Sequence, residues 1–315
     1  MLNDLGFAIA ITAPIFCILG CGIFFKRIGW VTADFARIGS DLVFKVTLPC
    51  FLFVKLVVTD FRHHLPLTLI GYAALSTIVV FLFLDRIVAA QLNNSADRGA
   101  FVQGAFRGNM GIVGLAFCIS AFGDHVIAVA SIYIAIMTIL YNVLAVITLT
   151  RHQDKTLGQD TYRRMLKSIS SNPLILAILA GMVISLSNIP VPQLILTTGE
   201  YFARMTLPLA LLCAGASIRM HEFNSSKPLY LASLAKLVVV PLVITTGGIA
   251  IGLRGEQLGV LYLMCSAPAA AASYPMTQAM GGNYHLAAAI IAVTSVGAMV
   301  ATTLGIFLLR SFALI

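Results

Sequence analysis

Asp41-Leu42-Val43-Phe44-Lys45-Val46-Thr47-Leu48-Pro49 returns in altered form as Glu200-Tyr201-Phe202-Ala203-Arg204-Met205-Thr206-Leu207-Pro208, and the offset is 159 residues (200 − 41). The same offset carries Pro14 to Pro173, Gly22 to Gly181, Gly123 to Gly282 and Asp124 to Asn283. One apolar match would mean nothing. An acid, a base, prolines and glycines sharing one offset without a gap point to a duplicated unit.

The solvent of that unit follows from composition. Of the 315 residues, 59% are hydrophobic and 10% charged, whereas a soluble domain carries about 25% charged residues. A water-facing surface cannot be made from so few polar groups, so most of the outside must meet lipid. Runs of about 20 apolar residues span a bilayer as helices. Ten such runs fall at 5–25, 39–59, 66–88, 99–122, 125–149, 173–188, 193–218, 228–252, 256–280 and 285–310. Each copy therefore holds five spans, and an odd number forces the second copy to insert upside down. The expected fold is an all-α membrane protein of ten transmembrane helices in two inverted five-helix repeats. Residues 1–150 form the first repeat, 151–172 a linker and 173–315 the second. Inverted repeats are a recurrent secondary-transporter plan, with the site where the repeats meet near the midplane.

Orientation comes from Lys and Arg between spans. Lys26, Arg27, Arg37, Arg86, Arg98, Arg151, Lys155, Arg163, Arg164, Lys167, Arg219 and Lys227 fall on one side, and Arg62, Arg254 and Arg310 on the other. The positive-inside rule puts the linker in the cytoplasm and both termini outside, in the inner membrane of a cell. The net charge of +8 is then a topology signal and not a nucleic-acid footprint. Residues 1–25 lack a basic leader, so the first run reads as a retained span. The cysteines, Cys17, Cys21, Cys50, Cys118, Cys213 and Cys265, sit in apolar runs without CxxC spacing and read as small packing residues. His63, His64, His125, His152, His221 and His285 fall at span ends or in loops without metal-ligand spacing. No metal or cofactor is expected, and the glycine-rich stretches follow no strand that would make a nucleotide loop.

The fourth and ninth runs are interrupted. Gly104-Ala105-Phe106-Arg107-Gly108-Asn109-Met110-Gly111-Ile112-Val113-Gly114 places an arginine, an asparagine and several glycines inside the fourth. Ser266-Ala267-Pro268-Ala269-Ala270-Ala271-Ala272-Ser273-Tyr274-Pro275 places two prolines in the ninth, and the offset carries Asn109 to Pro268. Breaks at matched points of two repeats mark a transport site, because irregular backbone survives in a membrane only inside protein or along a wet cavity. The second half-helix of each run presents a positive end and free donors at the break, suited to an anion. Arg107 either attracts a substrate carboxylate or snorkels to the headgroups. Asn109 is the stronger candidate ligand, with Ser273 and Tyr274 after it. Lys236 is read as a structural partner before a ligand, and Asn142 and Gln278 as cavity lining. Asp41–Lys45 and Glu200–Arg204, four residues apart, read as intrahelical ion pairs before proton-coupling pairs. Pro49 and Pro208 read as matched kinks.

With these features assembled, the chain resembles the auxin efflux carrier family, whose overall fold is shared with bile acid:sodium symporters. Thr47-Leu48-Pro49-Cys50-Phe51-Leu52-Phe53, the Arg107–Gly114 stretch, Lys236-Leu237-Val238-Val239-Val240-Pro241 and Ala267-Pro268 carry the likeness. The resemblance implies a scaffold of spans one, two, six and seven, and a transport core of spans three to five and eight to ten. It implies a site around Arg107, Gly108, Asn109, Met110, Gly111, Ala267, Pro268, Ser273 and Tyr274, where spans four and nine cross. It implies a small carboxylate as substrate, such as malonate, malate or an auxin-like acid, and a homodimer. The expected function is alternating-access transport of small organic anions, with coupling to H+ or Na+ left open. The rivals are a sodium-coupled symporter of the bile acid type and an anion channel. An intramembrane enzyme is disfavoured, because no nucleophile and base or metal set lies deep in the runs.

Overall fold

The computed structural model describes residues 2–58, 66–152, 170–187, 189–218 and 226–315. Most of the linker 151–172 lies outside the described residues, as do Arg62, His63, His64, Lys155, Arg163, Arg164, Lys167, Asn188, Arg219 and His221. The described residues form helices and turns, with no strand among them. Helix α1 is Leu2–Arg27. Helix α2 (Ala33–Leu42) passes through a wide π turn, Val43–Thr47, into α3 (Leu48–Val57). Helix α4 (Leu67–Phe83) ends in another wide turn, and α5 (Ser95–Phe106), α6 (Leu115–Phe122) and α7 (Ile127–Arg151) follow. The second half holds α8 (Pro173–Ser187), α9 (Gln193–Ser217), α10 (Lys227–Leu234), α11 (Val240–Ala250), α12 (Gly255–Ser266), α13 (Ser273–Met280) and α14 (Tyr284–Ser311).

Five stretches are long and apolar enough to cross a membrane: Asn3–Arg27, Leu67–Gln91, Asp124–Arg151, Lys227–Ala250 and Tyr284–Ser311. They coincide with the first, third, fifth, eighth and tenth expected spans. The other five depart from a plain apolar rod for separate reasons. The second and seventh carry charge, including Asp41, Lys45, Glu200 and Arg204. The sixth, α8, has 15 residues, about 22 Å at ~1.5 Å per residue and short of a ~30 Å hydrocarbon core. The fourth and ninth are broken.

The outside is apolar in stripes. Leu176, Leu179, Val183 and Leu186 on α8 are exposed, as are Val296, Val300, Leu304 and Leu308 on α14. Spacings of three and four put each set on one helix face, a surface made for acyl chains. Lipid offers no hydrophobic drive between helices, so close contact depends on small residues. A Cβ on Gly215 of α9 would fall 2.0 Å from the Leu19 carbonyl oxygen of α1, and one on Gly22 of α1 would fall 2.2 Å from that of Leu212 in α9. Gly181 of α8, the offset partner of Gly22, sits likewise against Phe53 and Leu56 of α3. Thus α1 packs on α9, and α8 packs on α3.

The two matched prolines sit in different backbone surroundings. Pro49 lies inside one continuous helical stretch, 33–57, and the wide turn falls just ahead of it. Helix α9 runs as one α-helix through Pro208.

Charged contacts gather at the two ends of the bundle. At one end, Asp85 accepts from Thr148 (2.6 Å), Arg151 (2.8 Å) and His152 (2.9 Å), joining the ends of α4 and α7. Asn283 donates to Asp97 at 2.7 Å at the same end. At the opposite end, Lys55 pairs with Asp124 at 3.0 Å and Glu200 at 3.8 Å, Glu256 meets His125 at 2.7 Å, and Arg310 meets Asp4 at 3.8 Å while lying over the Phe7 ring. Asp41–Lys45 is the intrahelical pair expected, at 2.8 Å. Glu200–Arg204 is looser, at 3.7 Å, because Glu200 is shared with Lys55.

Candidate functional site

The fourth run stops being a helix at Arg107, whose ψ of 109° is extended, and resumes in a wide turn at Met110–Gly114. The ninth run stops at Ala267 and resumes at Ser273. The two gaps lie against each other. The Asn109 N–H donates to the Pro268 carbonyl at 2.7 Å, and the Ala270 N–H donates to the Arg107 carbonyl at 3.0 Å. Gly108 and Ala269 lie opposite each other between these bonds, in antiparallel sense. The Ala269 N–H finds the Thr294 hydroxyl of α14 at 3.1 Å. Each break thus satisfies backbone groups that the other has freed, as burial in a membrane demands. Proline ends the ninth-run helix because it has no N–H to continue the ladder. Glycine leaves room at 108, where a Cβ would crowd the Lys236 ammonium at 3.0 Å and the Met264 carbonyl oxygen at 3.3 Å.

Two cations flank this junction. Arg107 is 7% exposed. Its guanidinium donates to Gln103 Oε1 at 3.1 Å, Met276 Sδ at 3.1 Å and Asn142 Oδ1 at 2.7 Å. This rules out the snorkelling alternative: the side chain points into the protein and its partners are neutral. Lys236 is wholly buried and donates to the Cys265 carbonyl at 3.0 Å. That carbonyl belongs to the last turn of α12, the negative end of a half-helix, so the ammonium caps it. Lys236 thus makes a structural contact, and it does so at the junction itself.

No acid balances them among the described residues. Asp4 pairs with Arg310, Asp34 with Arg37, Asp41 with Lys45, Asp85 with Arg151 and His152, Asp124 and Glu200 with Lys55, and Glu256 with His125. Asp97 is held by Asn283. A mid-membrane arginine or lysine costs roughly 2.5–3.5 kcal/mol on insertion scales. The neutral hydrogen bonds at Arg107 and Lys236 offset part of that cost and leave the charge in place.

The remaining expected residues fall around the junction. Met110 and Gly111 begin the second half of the fourth run, Met110 buried and Gly111 facing Leu48 of α3. Asn109 is 9% exposed, and its carboxamide has no hydrogen-bond partner among the described residues. Ser273 is 1% exposed, and its hydroxyl is likewise unpartnered. Tyr274 contacts Tyr284 edge to face and, with Ala271 and Pro275, lines a cavity of about 410 Å³. The other walls of that cavity include Lys26 of α1, Arg37 and Asp41 of α2, and Ser217 at the end of α9.

Three expectations need correction. Asn142 is not among the walls of this cavity and instead accepts from Arg107. Gln278 is exposed and lies off the cavity walls. The start of α13 offers fewer free donors than expected, since the N–H groups of Ser273 and Tyr274 turn back onto the carbonyls of Ala270 and Ala271. The reading of residues also missed Gln103, Met276 and Thr277. Gln103 sits one turn before Arg107, a spacing that could have flagged it. Thr277, which accepts from Gln103 at 3.4 Å, carries no sequence signal of its role.

Residues 7–306 match the profile of a family described as "Membrane transport protein". The chain is also similar to proteins named "Uncharacterized transporter YfdV" in Escherichia coli K12, Escherichia coli O157:H7 and Shigella flexneri. In each case the identity is 23% over 312 residues, covering 97% of this chain and 99% of the relative.

Proposed function

The chain belongs to the membrane transport protein family, that of the auxin efflux carriers, and on that premise we propose that it is a secondary transporter of small organic anions across the inner membrane by alternating access. The observation that carries the anion reading is the pair of buried, uncompensated cations, Arg107 and Lys236, beside the junction of two interrupted helices. The unpartnered Asn109 carboxamide and Ser273 hydroxyl add neutral ligands of the kind that orient a carboxylate. Substrates of this chemistry include malonate, malate and auxin-like acids.

In this reading α1–α3, α8 and α9 are the scaffold, and the remaining helices are the moving core. The crossed packing of α1 on α9 and of α8 on α3 supports two inverted copies, since the offset turns one contact into the other. The end rich in Lys and Arg faces the cytoplasm. The cavity between α2 and α13 then opens inward, and Lys55–Asp124 and Asp4–Arg310 tie core to scaffold on the outer side. A negative interior favours export of an anion by about 2.3 kcal/mol per charge per 100 mV.

The test is a thermal-shift screen of purified protein against mono- and dicarboxylates, repeated with Arg107→Ala and Asn109→Ala. A carboxylate that stabilises the wild type should lose most of its shift in both variants. An equal shift in all three proteins would place the anion elsewhere. Counterflow with and without a sodium gradient separates a sodium symporter, and conductance without counterflow would mark a channel.

A further inference from the structure

Resting on the anion-transport reading, we propose that the protein is an anion exchanger: the crossing changes sides readily only while an anion sits beside Arg107 and Lys236. Both cations belong to the proposed moving core, Arg107 in the break itself and Lys236 on the wide turn between α10 and α11, with its ammonium capping α12. They move with it and cannot be left behind. Their partners, Gln103, Asn142, Met276 and the Cys265 carbonyl, are neutral and lie on the same moving elements. No described acid pairs with them: the acids on the same moving elements, Asp85, Asp97, Asp124 and Glu256, are engaged at one or other end of the bundle. Asp60, Asp154, Asp160 and Glu222 fall in the sequence between the spans.

On the α3 side the wall that the crossing faces is apolar. Leu48 of α3 lies against Gly111, and Phe51 and Leu52 of the same helix are buried. An empty crossing must therefore pass this wall carrying two unneutralised charges. A single lysine or arginine in mid-membrane is disfavoured on the order of a hundredfold. A bound mono- or dianion cancels one or both charges and removes the corresponding barrier. Loaded sites then interchange quickly, the empty site returns slowly, and one-for-one exchange outruns net movement. Exchange of like anions moves no net charge, so it is also insensitive to voltage, whereas net efflux is not.

The experiment uses the full chain in proteoliposomes, with labelled malonate, malate and indole-3-acetate tested in parallel. Efflux is followed into buffer with and without the same unlabelled anion outside. For the wild type, the outside anion should accelerate efflux by about tenfold or more, given the cost of moving bare charge. In Lys236→Gln the acceleration should shrink towards none, because the empty site then carries one charge fewer, and Lys236→Arg should retain it. Arg107→Gln gives a second neutralising variant should the first fail to fold. Wild-type efflux that is as fast without outside anion as with it overturns exchange while leaving transport intact. An acceleration that survives both neutralising variants overturns the role given to the cations. Failure of all three anions to move under either condition sinks the transporter reading, and exchange with it.

Discussion

Replacing Lys55 by glutamine removes a charge that joins three elements. The ammonium stands 3.0 Å from Asp124, in the turn between α6 and α7, and 3.8 Å from Glu200 on α9. Lys55 itself is on α3, so in the proposed arrangement the first contact links scaffold to core, and the second stays within the scaffold. The Lys55 side chain is 25% exposed and that of Asp124 is 69%. Ion pairs so open to water contribute ~0.2–1 kcal/mol. At 1.36 kcal/mol per decade this is about a 1.4- to 5-fold change in the balance between inward- and outward-facing forms. The minor, outward form should rise by that factor. Met110→Cys reports it, because Met110 is buried and begins the half-helix on the outer side of the break. The native cysteines are replaced by serine, and a membrane-impermeant maleimide is added from outside. Labelling should accelerate about 1.4- to 5-fold in Lys55→Gln and equally in Asp124→Asn, and high salt should produce part of the same effect in the parent. The swap Lys55→Asp with Asp124→Lys should restore the parent rate only in part, because an acid at 55 then faces Glu200. If both single variants label at the parent rate, the pair does not tie core to scaffold.

Two further outcomes follow from packing. Gly215→Val should fail to yield a monodisperse protein or melt well below the wild type, by ~1–3 kcal/mol or more on overpacking alone, because its Cβ would meet the Leu19 carbonyl at 2.0 Å. Gly20→Val, where a Cβ meets nothing within 4 Å, should melt near the wild type in the same fluorescence assay. Asp85→Asn should cost about 1–3 kcal/mol in thermal unfolding by weakening the joint to Thr148, Arg151 and His152, while the carboxylate-induced shift persists, because that joint is remote from the junction.

The features legible in the sequence were those that act through the backbone. Gly108 and Pro268 interrupt helices for reasons intrinsic to each residue, so the breaks stand where the reading put them. Charge at Asp41 and Glu200 was legible for the same local reason, since partners four residues on share a face. Long-range choices were not legible. Lys55 reaches Asp124 across 69 positions, and nothing near either residue announces it. Arg107 had two plausible directions, and the choice was made by Asn142, a residue 35 positions away. The wide turn ahead of Pro49, against the uninterrupted helix through Pro208, shows two near-identical stretches answering different neighbours.

The two gaps are joined to each other by amide and carbonyl alone, at Asn109–Pro268 and Arg107–Ala270. A seam of that kind does not consult the side chains that project from it. Apart from Gly108, where added bulk is crowded, and Pro268, whose missing N–H ends its helix, residues along the seam can be exchanged without unfastening it. Chemical selectivity can therefore be rewritten, one substitution at a time, on a joint that stays closed throughout.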